Sequence, residues 1–278
     1  MRTSTAVRPK VWFVGAGPGA ADLLTFRGAA AIAAADVVVW AGSLVAAGVL
    51  AHARPAAELL DSSAMTLEQV VAVYDQAVAD RLVVARVHSG DPTLYGAIQE
   101  QIEACEARGL AWEIVPGVSS LSAAAAAAGH ELTIPKVAQS VLLTRLATRT
   151  EASMPPRERL RELARFGTTM ALFLSCSRPR LLQAELEAGG YPPQTPCVVA
   201  YKVTWPDERI IRCTLHDLAA QLRAARITRH ALVLVGPALA AGEAAVQRSH
   251  LYHPAFAHSF RRASAGSAEV EGGGLDGA

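Results

Sequence analysis

The segment His88-Ser89-Gly90-Asp91-Pro92 sets a flexible backbone position, a carboxylate and a rigid proline after the apolar run Leu82–Val87. A second turn, Val14-Gly15-Ala16-Gly17-Pro18-Gly19, follows the apolar run Val11–Phe13. Glycine permits tight turns and close backbone approach to a ligand. Ligands of open parallel sheets sit beyond the carboxyl ends of the strands. Two such turns in one α/β half therefore predict a shared small-molecule cleft. Asp91 has two readings at this stage. It caps an Asx turn, or it lies beside a cationic ligand and accepts hydrogen bonds.

The first turn, Gly15-Ala16-Gly17-Pro18-Gly19-Ala20, also overlaps the dinucleotide fingerprint. That reading needs an acid at the end of the second strand to hold the ribose. Here the strand ends Val39-Trp40-Ala41-Gly42-Ser43, and Asp36 precedes it. Pro18 stiffens the turn, and Ala21-Asp22-Leu23-Leu24 separates it from the next helix, so no helix N-terminus faces a pyrophosphate directly. A flavin or nicotinamide oxidoreductase is thus the rival rather than the main reading.

Positioning these turns requires a packed α/β scaffold, and the composition supplies one. The chain has 278 residues, 51% hydrophobic and 18% charged, which fits a globular protein with a large core. A formal net charge of +1 gives no global field favouring nucleic acid or anionic membrane. Cys105, Cys176, Cys197 and Cys213 lack metal-ligand spacing and read as buried thiols of a reducing compartment, so no metal site is expected. The start carries no apolar leader and no stretch reaches transmembrane length, so a cytoplasmic protein is expected.

Strands are predicted over Val11–Val14, Asp36–Trp40, Leu82–Val87 and Trp112–Val115. Helices are predicted over Thr25–Ala35, Thr66–Asp80 and Leu94–Arg108, with Leu67, Val70, Val71, Tyr74 and Val78 forming the apolar face of the second. This alternation predicts a mainly parallel sheet covered on both faces. The pattern breaks at Pro116-Gly117-Val118-Ser119-Ser120, where a domain boundary is placed. Beyond it come helix Leu121–Ala128, strand Ser140–Thr144, helix Arg157–Phe166, strand Thr168–Leu174 and helix Arg180–Glu187. Then follow a hairpin of Cys197–Thr204 and Arg209–Thr214, helix Leu215–Ala225 and strand Ala231–Val235. The hairpin makes the second sheet mixed. The fold class is therefore α/β with two domains, over 10–116 and 117–248, followed by a tail over 249–278 whose end is expected to be disordered.

Three motifs carry a family resemblance: Val14–Gly19 with Asp22-Leu23-Leu24-Thr25, then Ser89–Pro92, then Val115–Ser120. Together they resemble the signatures of the tetrapyrrole (corrin/siroheme-type) methyltransferases. Trp40–Val45, Leu132–Arg145, Tyr201–Glu208 and Leu251–Arg261 extend the likeness and narrow it to one branch of that family. The resemblance implies a class III methyltransferase-like fold with the active site between the two domains, and a homodimer. It implies S-adenosylmethionine as methyl donor, S-adenosylhomocysteine as product and a tetrapyrrole as substrate.

Carried over by motif, the cofactor positions are Pro18, Ser89, Gly90, Asp91, Leu94, Ser119 and Ser120. In the second domain they are Leu174 (where relatives often carry methionine), Lys202, Val203, Ala231 and Leu232. Methyl transfer from a sulfonium to an enamine-like ring carbon asks chiefly for alignment. No Ser/His/Asp set is needed, and Asp91, His88 and Glu131 are the candidates for a later general base. The carboxylates of a tetrapyrrole call for Arg and Lys. Candidates near predicted strand ends are Lys136, Arg145, Arg149, Arg178, Arg180, Lys202 and Arg209. His52, His216 and His230 read as structural, and His250, His253 and His258 as a lid or intersubunit element. A non-catalytic tetrapyrrole carrier is a third reading, separable by its failure to bind S-adenosylhomocysteine.

Overall fold

The computed structural model describes residues 9–147, 151–240, 256, 257, 259, 261 and 262. The tail motif Leu251–Arg261 with its histidines, and Arg149, lie almost wholly or wholly outside the described residues.

In the first lobe the β-branched runs become parallel strands. These are β1 (Lys10–Gly15), β2 (Val37–Trp40), β3 (Glu58–Asp61), β4 (Val83–His88) and β5 (Ala111–Val115), in the order β3-β2-β4-β1-β5. All of their pairings are parallel. The period-two pleat sends neighbouring residues to opposite faces. Phe13, Val39 and Val84 pack against Val70, Tyr74 and Ala77 of helix α2 (Leu67–Asp80). Val14, Val38 and Val87 pack against Ala31 and Ile32 of helix α1 (Phe26–Ala34). Thr25 caps α1 by accepting from the Gly28 amide, and Thr66 with Gln69 forms a capping box on α2.

The second lobe holds β6 (Val141–Arg145), β7 (Thr169–Phe173), β8 (Pro196–Tyr201), β9 (Arg209–Thr214) and β10 (Ala231–Val235), in the order β6-β7-β10-β8-β9. β6 and β7 are parallel and the other pairs antiparallel. Helices α6 (Pro179–Ala188) and α7 (Leu215–Ala224) cover one face through Leu182, Leu186, Leu215, Leu218 and Leu222. Helix α4 (Ser120–Ala128) covers the other with Ala123, Ala124 and Ala128 against Ala171, Val198 and Leu234. Alanines let that helix lie close to the sheet beneath the cleft.

Several expectations need correction. Helix α3 spans Gln99–Glu106 only, because Tyr95 and Ala97 adopt left-handed backbone and break the run expected from Leu94. Val78 of α2 is exposed and Ala77 takes the buried position. The helix expected over Arg157–Phe166 is a short 3₁₀ turn at Pro156–Glu158, an extended Arg159 and then helix α5 (Leu160–Ala164). Strand β3 was not expected; it is a short edge strand with mostly exposed side chains, which mutes the usual alternation.

In the first lobe, the register sets Gly15 opposite His88 and Val14 opposite Val115, so three strand ends and their turns meet in one place. A Cβ on Gly15 would lie 2.6 Å from the Gly117 Cα and 2.7 Å from the Gly90 carbonyl oxygen. All of these neighbours are backbone and cannot rotate away. Gly15→Ala is therefore expected to cost about 1–3 kcal/mol of unfolding free energy, as overpacking does. Urea unfolding checks this, and a loss within error of zero means the crossing is slack.

Candidate functional site

The two glycine turns touch. The Gly17 amide donates to the Gly90 carbonyl at 3.2 Å and the Gly90 amide returns to the Gly17 carbonyl at 2.8 Å. The Ala16 amide adds a bond to the His88 carbonyl at 2.8 Å. Asp91 then staples the third motif to the second. Its Oδ2 accepts from the Gly117 amide at 2.9 Å, and its Oδ1 accepts from the Thr93 amide at 2.9 Å and the Thr93 hydroxyl at 2.5 Å. Burial raises the Asp91 carboxyl, but the hydrogen bonds from the Thr93 side chain and the Gly117 and Thr93 amides outweigh it and hold its pKa below the ordinary value.

Between the lobes lies a cavity of about 640 Å³, within the usual size range for small-molecule sites. Pro18, Ser43, Leu44, Ser89 and Ser120 wall it from the first lobe and the start of α4. Leu174, Lys202, Val203, Trp205, His230, Ala231 and Leu232 are among the residues facing them from the second lobe. Leu174, Lys202 and His230 all have positive φ, a conformation that costs energy in non-glycine residues and clusters at ligand sites. Leu174 leaves 67% of its surface open, an apolar side chain bared into a cleft.

Eight of the expected cofactor positions line this cavity: Pro18, Ser89, Ser120, Leu174, Lys202, Val203, Ala231 and Leu232. Gly90, Asp91, Leu94 and Ser119 do not. Gly90 and Asp91 tie the turns together, and Ser119 caps α4 by accepting from the Leu121 amide at 3.2 Å. The candidate bases fare differently from expectation. His88 is buried in β4 beside the Phe13 ring, does not line the cavity, and its Nε2 has no hydrogen-bond partner. Burial, with Arg86 nearby, pushes its pKa down to about 3, so the ring is neutral. Glu131 is exposed, accepts from Thr133 at 3.3 Å and is not part of the cavity wall. Asp91 has both oxygens engaged.

Of the described basic candidates for substrate, only Lys202 lines this cavity, and its ammonium bonds Asp207 at 2.6 Å. Lys136 sits exposed in a left-handed turn, and Arg145 donates to Ser153 at 2.9 Å. Arg209 lies over the Tyr201 ring, 4.5 Å from its centroid. Arg178 and Arg180 line an adjoining cavity of about 730 Å³ together with Arg223 and Arg226. The two cavities share Cys176, Ser177 and Thr228. Ser43, Leu44, Trp205 and His230 are wall residues that sequence reasoning did not assign to ligand. The segments Trp40–Val45 and Tyr201–Glu208 were the available signal for the first three.

No group of His, Cys, Asp and Glu able to hold a metal occurs among the described residues. The four cysteines are free thiols, three of them buried, and burial pushes the Cys176 thiol up to about 12. No helix among the described residues is long and apolar enough to cross a membrane. The dinucleotide reading loses its footing, because the 3₁₀ turn Ala21–Leu23 separates the glycine turn from α1.

Two α/β lobes closing on one small-molecule cleft, with glycine turns on one wall and left-handed residues on the other, define a two-domain methyltransferase architecture. The chain belongs to the tetrapyrrole (corrin/porphyrin) methylases, whose family model matches residues 10–219. It is 46% identical over 231 residues to the precorrin-4 C(11)-methyltransferase of Mycobacterium tuberculosis, covering 83% of this chain and 92% of the relative. The solved structure of a cobalamin biosynthetic enzyme, cobalt precorrin-4 methyltransferase, matches with a TM-score of 0.82 at 43% identity, over 86% of this chain and 99% of that one. The uroporphyrin-III C-methyl transferase of Thermus thermophilus, solved with S-adenosyl homocysteine, matches with a TM-score of 0.70 at 26% identity, over 83% and 99%.

The neutral, buried His88 makes stability depend on pH. Its folded pKa of about 3 lies below the unfolded value of 6.5. The unfolded chain therefore takes up a proton that the folded chain refuses. The stability contribution is complete above about pH 6.5 and falls as pH drops toward 3, by up to about 1.4 kcal/mol per pH unit. Unfolding free energies measured between pH 6 and 4 should have a shallower slope in His88→Gln than in wild type; equal slopes contradict the assignment.

Proposed function

We propose that this chain transfers a methyl group from S-adenosylmethionine to C11 of precorrin-4, giving precorrin-5, a step of cobalamin biosynthesis. The observation that carries this reading is the interdomain cavity, walled by residues of all three glycine-turn motifs and by the second lobe's Leu174, Val203, Ala231 and Leu232. The relatives' names support the choice of substrate. A cobalt-containing form of the same substrate is the second reading, favoured by the cobalt precorrin-4 methyltransferase structure.

The cavity suits the donor on physical grounds. It is apolar enough to take an adenosine and a methionine chain, and Leu174 bares an apolar surface to it. When bound, S-adenosylmethionine supplies a methyl group on a positively charged sulfur, already activated toward an electron-rich carbon. The residues of this chain then bind, orient and exclude water. Pro18, Ser89 and Ser120 hold the donor from one side, and Leu174, Lys202, Val203, Ala231 and Leu232 from the other. Asp91 keeps the turns aligned and keeps a negative charge near a cationic ligand. Alignment of this kind lowers a barrier by up to about 7–11 kcal/mol in the best cases.

The substrate's ring carboxylates need guanidinium partners, and Arg178 and Arg180 are our assignment because their cavity adjoins the main one. The lobes divide at 116/117 in this reading, and the protein is a cytoplasmic homodimer. Incubation of the purified chain with methyl-labelled donor and precorrin-4 is expected to place the label at C11. Intact mass of the product tells the metal-free from the cobalt-containing substrate. S-Adenosylhomocysteine should give a calorimetric binding signal, and its absence together with no label at C11 defeats the proposal.

A further inference from the structure

The residues that close the cleft are not those the cofactor motifs single out. The turn between β8 and β9, Lys202–Glu208, reaches out of the second lobe and grips the first glycine turn. Trp205 Nε1 donates to the Pro18 carbonyl at 3.0 Å, and the Ala20 amide donates to the Thr204 hydroxyl at 2.9 Å. The backbone at both ends of this grip is unusual: Lys202 and Thr204 have φ of 46° and 68°. Strain of that kind persists only where surrounding bonds over-determine it. Here they do. The Thr204 amide donates to Glu208 at 2.6 Å, the Lys202 amide donates to the His230 carbonyl at 2.8 Å, and the Lys202 ammonium bonds Asp207 at 2.6 Å while lying 5.5 Å from the Trp205 ring centroid.

The glycine turn is shaped to receive this grip. A Cβ on Gly19 would lie 2.2 Å from Trp205 Cδ1, 2.4 Å from its Nε1 and 2.9 Å from the Thr204 hydroxyl oxygen. Gly19 is therefore glycine because an indole rests on it. That is a packing reason, distinct from any phosphate cradle. The atoms that make the grip also bound the cavity: Pro18 on one side, Lys202, Val203 and Trp205 on the other.

We propose that Trp205 and Thr204 are positioning residues. Their two hydrogen bonds clasp the Pro18–Ala20 segment and fix the width of the cleft in which the methyl donor is held. The assignment rests on the donor site proposed above. The clasp acts on binding of the donor through Pro18 and Val203, and not on the reacting carbon.

The test uses the full chain and S-adenosylhomocysteine as probe. Trp205→Phe keeps a ring on Gly19 and removes the donor; Thr204→Val keeps the shape and removes the acceptor; Thr204→Ser keeps the acceptor. Each lost hydrogen bond should weaken S-adenosylhomocysteine and raise the donor KM about fivefold to tenfold, with kcat within a factor of two. Thr204→Ser should restore both to near the wild-type values. Amide exchange at Ala20 should speed up in Thr204→Val and stay slow in Thr204→Ser. Wild-type binding with unchanged affinity in both Trp205→Phe and Thr204→Val overturns the clasp alone, as does a lowered melting temperature without any change in affinity. A wild-type chain that binds no S-adenosylhomocysteine overturns the donor site and the clasp together.

Discussion

The fold of the cleft depends on the paired backbone hydrogen bonds between Gly17 and Gly90. Two parallel strands, β1 and β4, run side by side and end level with one another. Their following turns, left free, would diverge toward separate helices. The Gly17–Gly90 pair welds them instead into a single ledge, and Asp91 adds Gly117 of the third motif to it. Backbone groups held this way need no side chain for rigidity. Only residues without a Cβ can bring three chains within 2.7 Å of a virtual side-chain position, as at Gly15. The ledge is thus made of main chain, which leaves Pro18, Ser89 and Ser120 facing the cavity.

The opposite wall solves the same problem by other means. It uses ordinary side chains in left-handed backbone, Leu174, Lys202 and His230, and the Lys202 amide donates to the His230 carbonyl at 2.8 Å. Beneath both walls the sheets are covered on each face by apolar clusters, so the cleft edges cannot relax by sinking inward. A densely packed interior transmits strain instead of absorbing it. Behind that wall the second lobe's core is dense, with Leu182, Leu186, Leu215, Leu218 and Leu222 fully buried.

The sequence disclosed those parts of the molecule whose cause is local. Val37-Val38-Val39 reads as a buried strand, and the spacing of Leu67, Val70, Val71 and Tyr74 marked α2. The 94–98 segment misled because its composition suits a helix. Left-handed Tyr95 and Ala97 break it instead, and the Tyr95 ring lies 5.2 Å from that of Phe173 in the other lobe, a contact no local pattern encodes. The wall residues carried by motif were accessible because their type and position recur together. Trp205 falls within the motif segment Tyr201–Glu208, but its contact at Gly19, far away in sequence, was not legible. Charge was the poorest guide of all. Arg145 and Arg209 satisfy strand-end expectations yet spend their guanidinium groups on Ser153, and on Tyr201 and the Ala225 carbonyl.

One buried charge of the first lobe has no carboxylate partner among the described residues. Arg86 is buried in β4, with Nε donating to Gln101 at 3.1 Å and Nη1 to the Val39 carbonyl at 3.3 Å. The Tyr74 hydroxyl donates to the same Gln101 oxygen at 2.9 Å. A buried ion satisfied only by neutral acceptors is expensive, several kcal/mol before its bonds are counted. Its field has a consequence two residues further on, where it helps keep His88 unprotonated. Asp91 in turn stays ionised through its own bonds. The second glycine turn is therefore bracketed by a fixed positive charge below and a fixed negative charge above, with a neutral ring between them. Such an arrangement keeps the strand beneath the turn from gaining a second positive charge. The electrostatics of the ledge are consequently built into β4 and the turn that follows it.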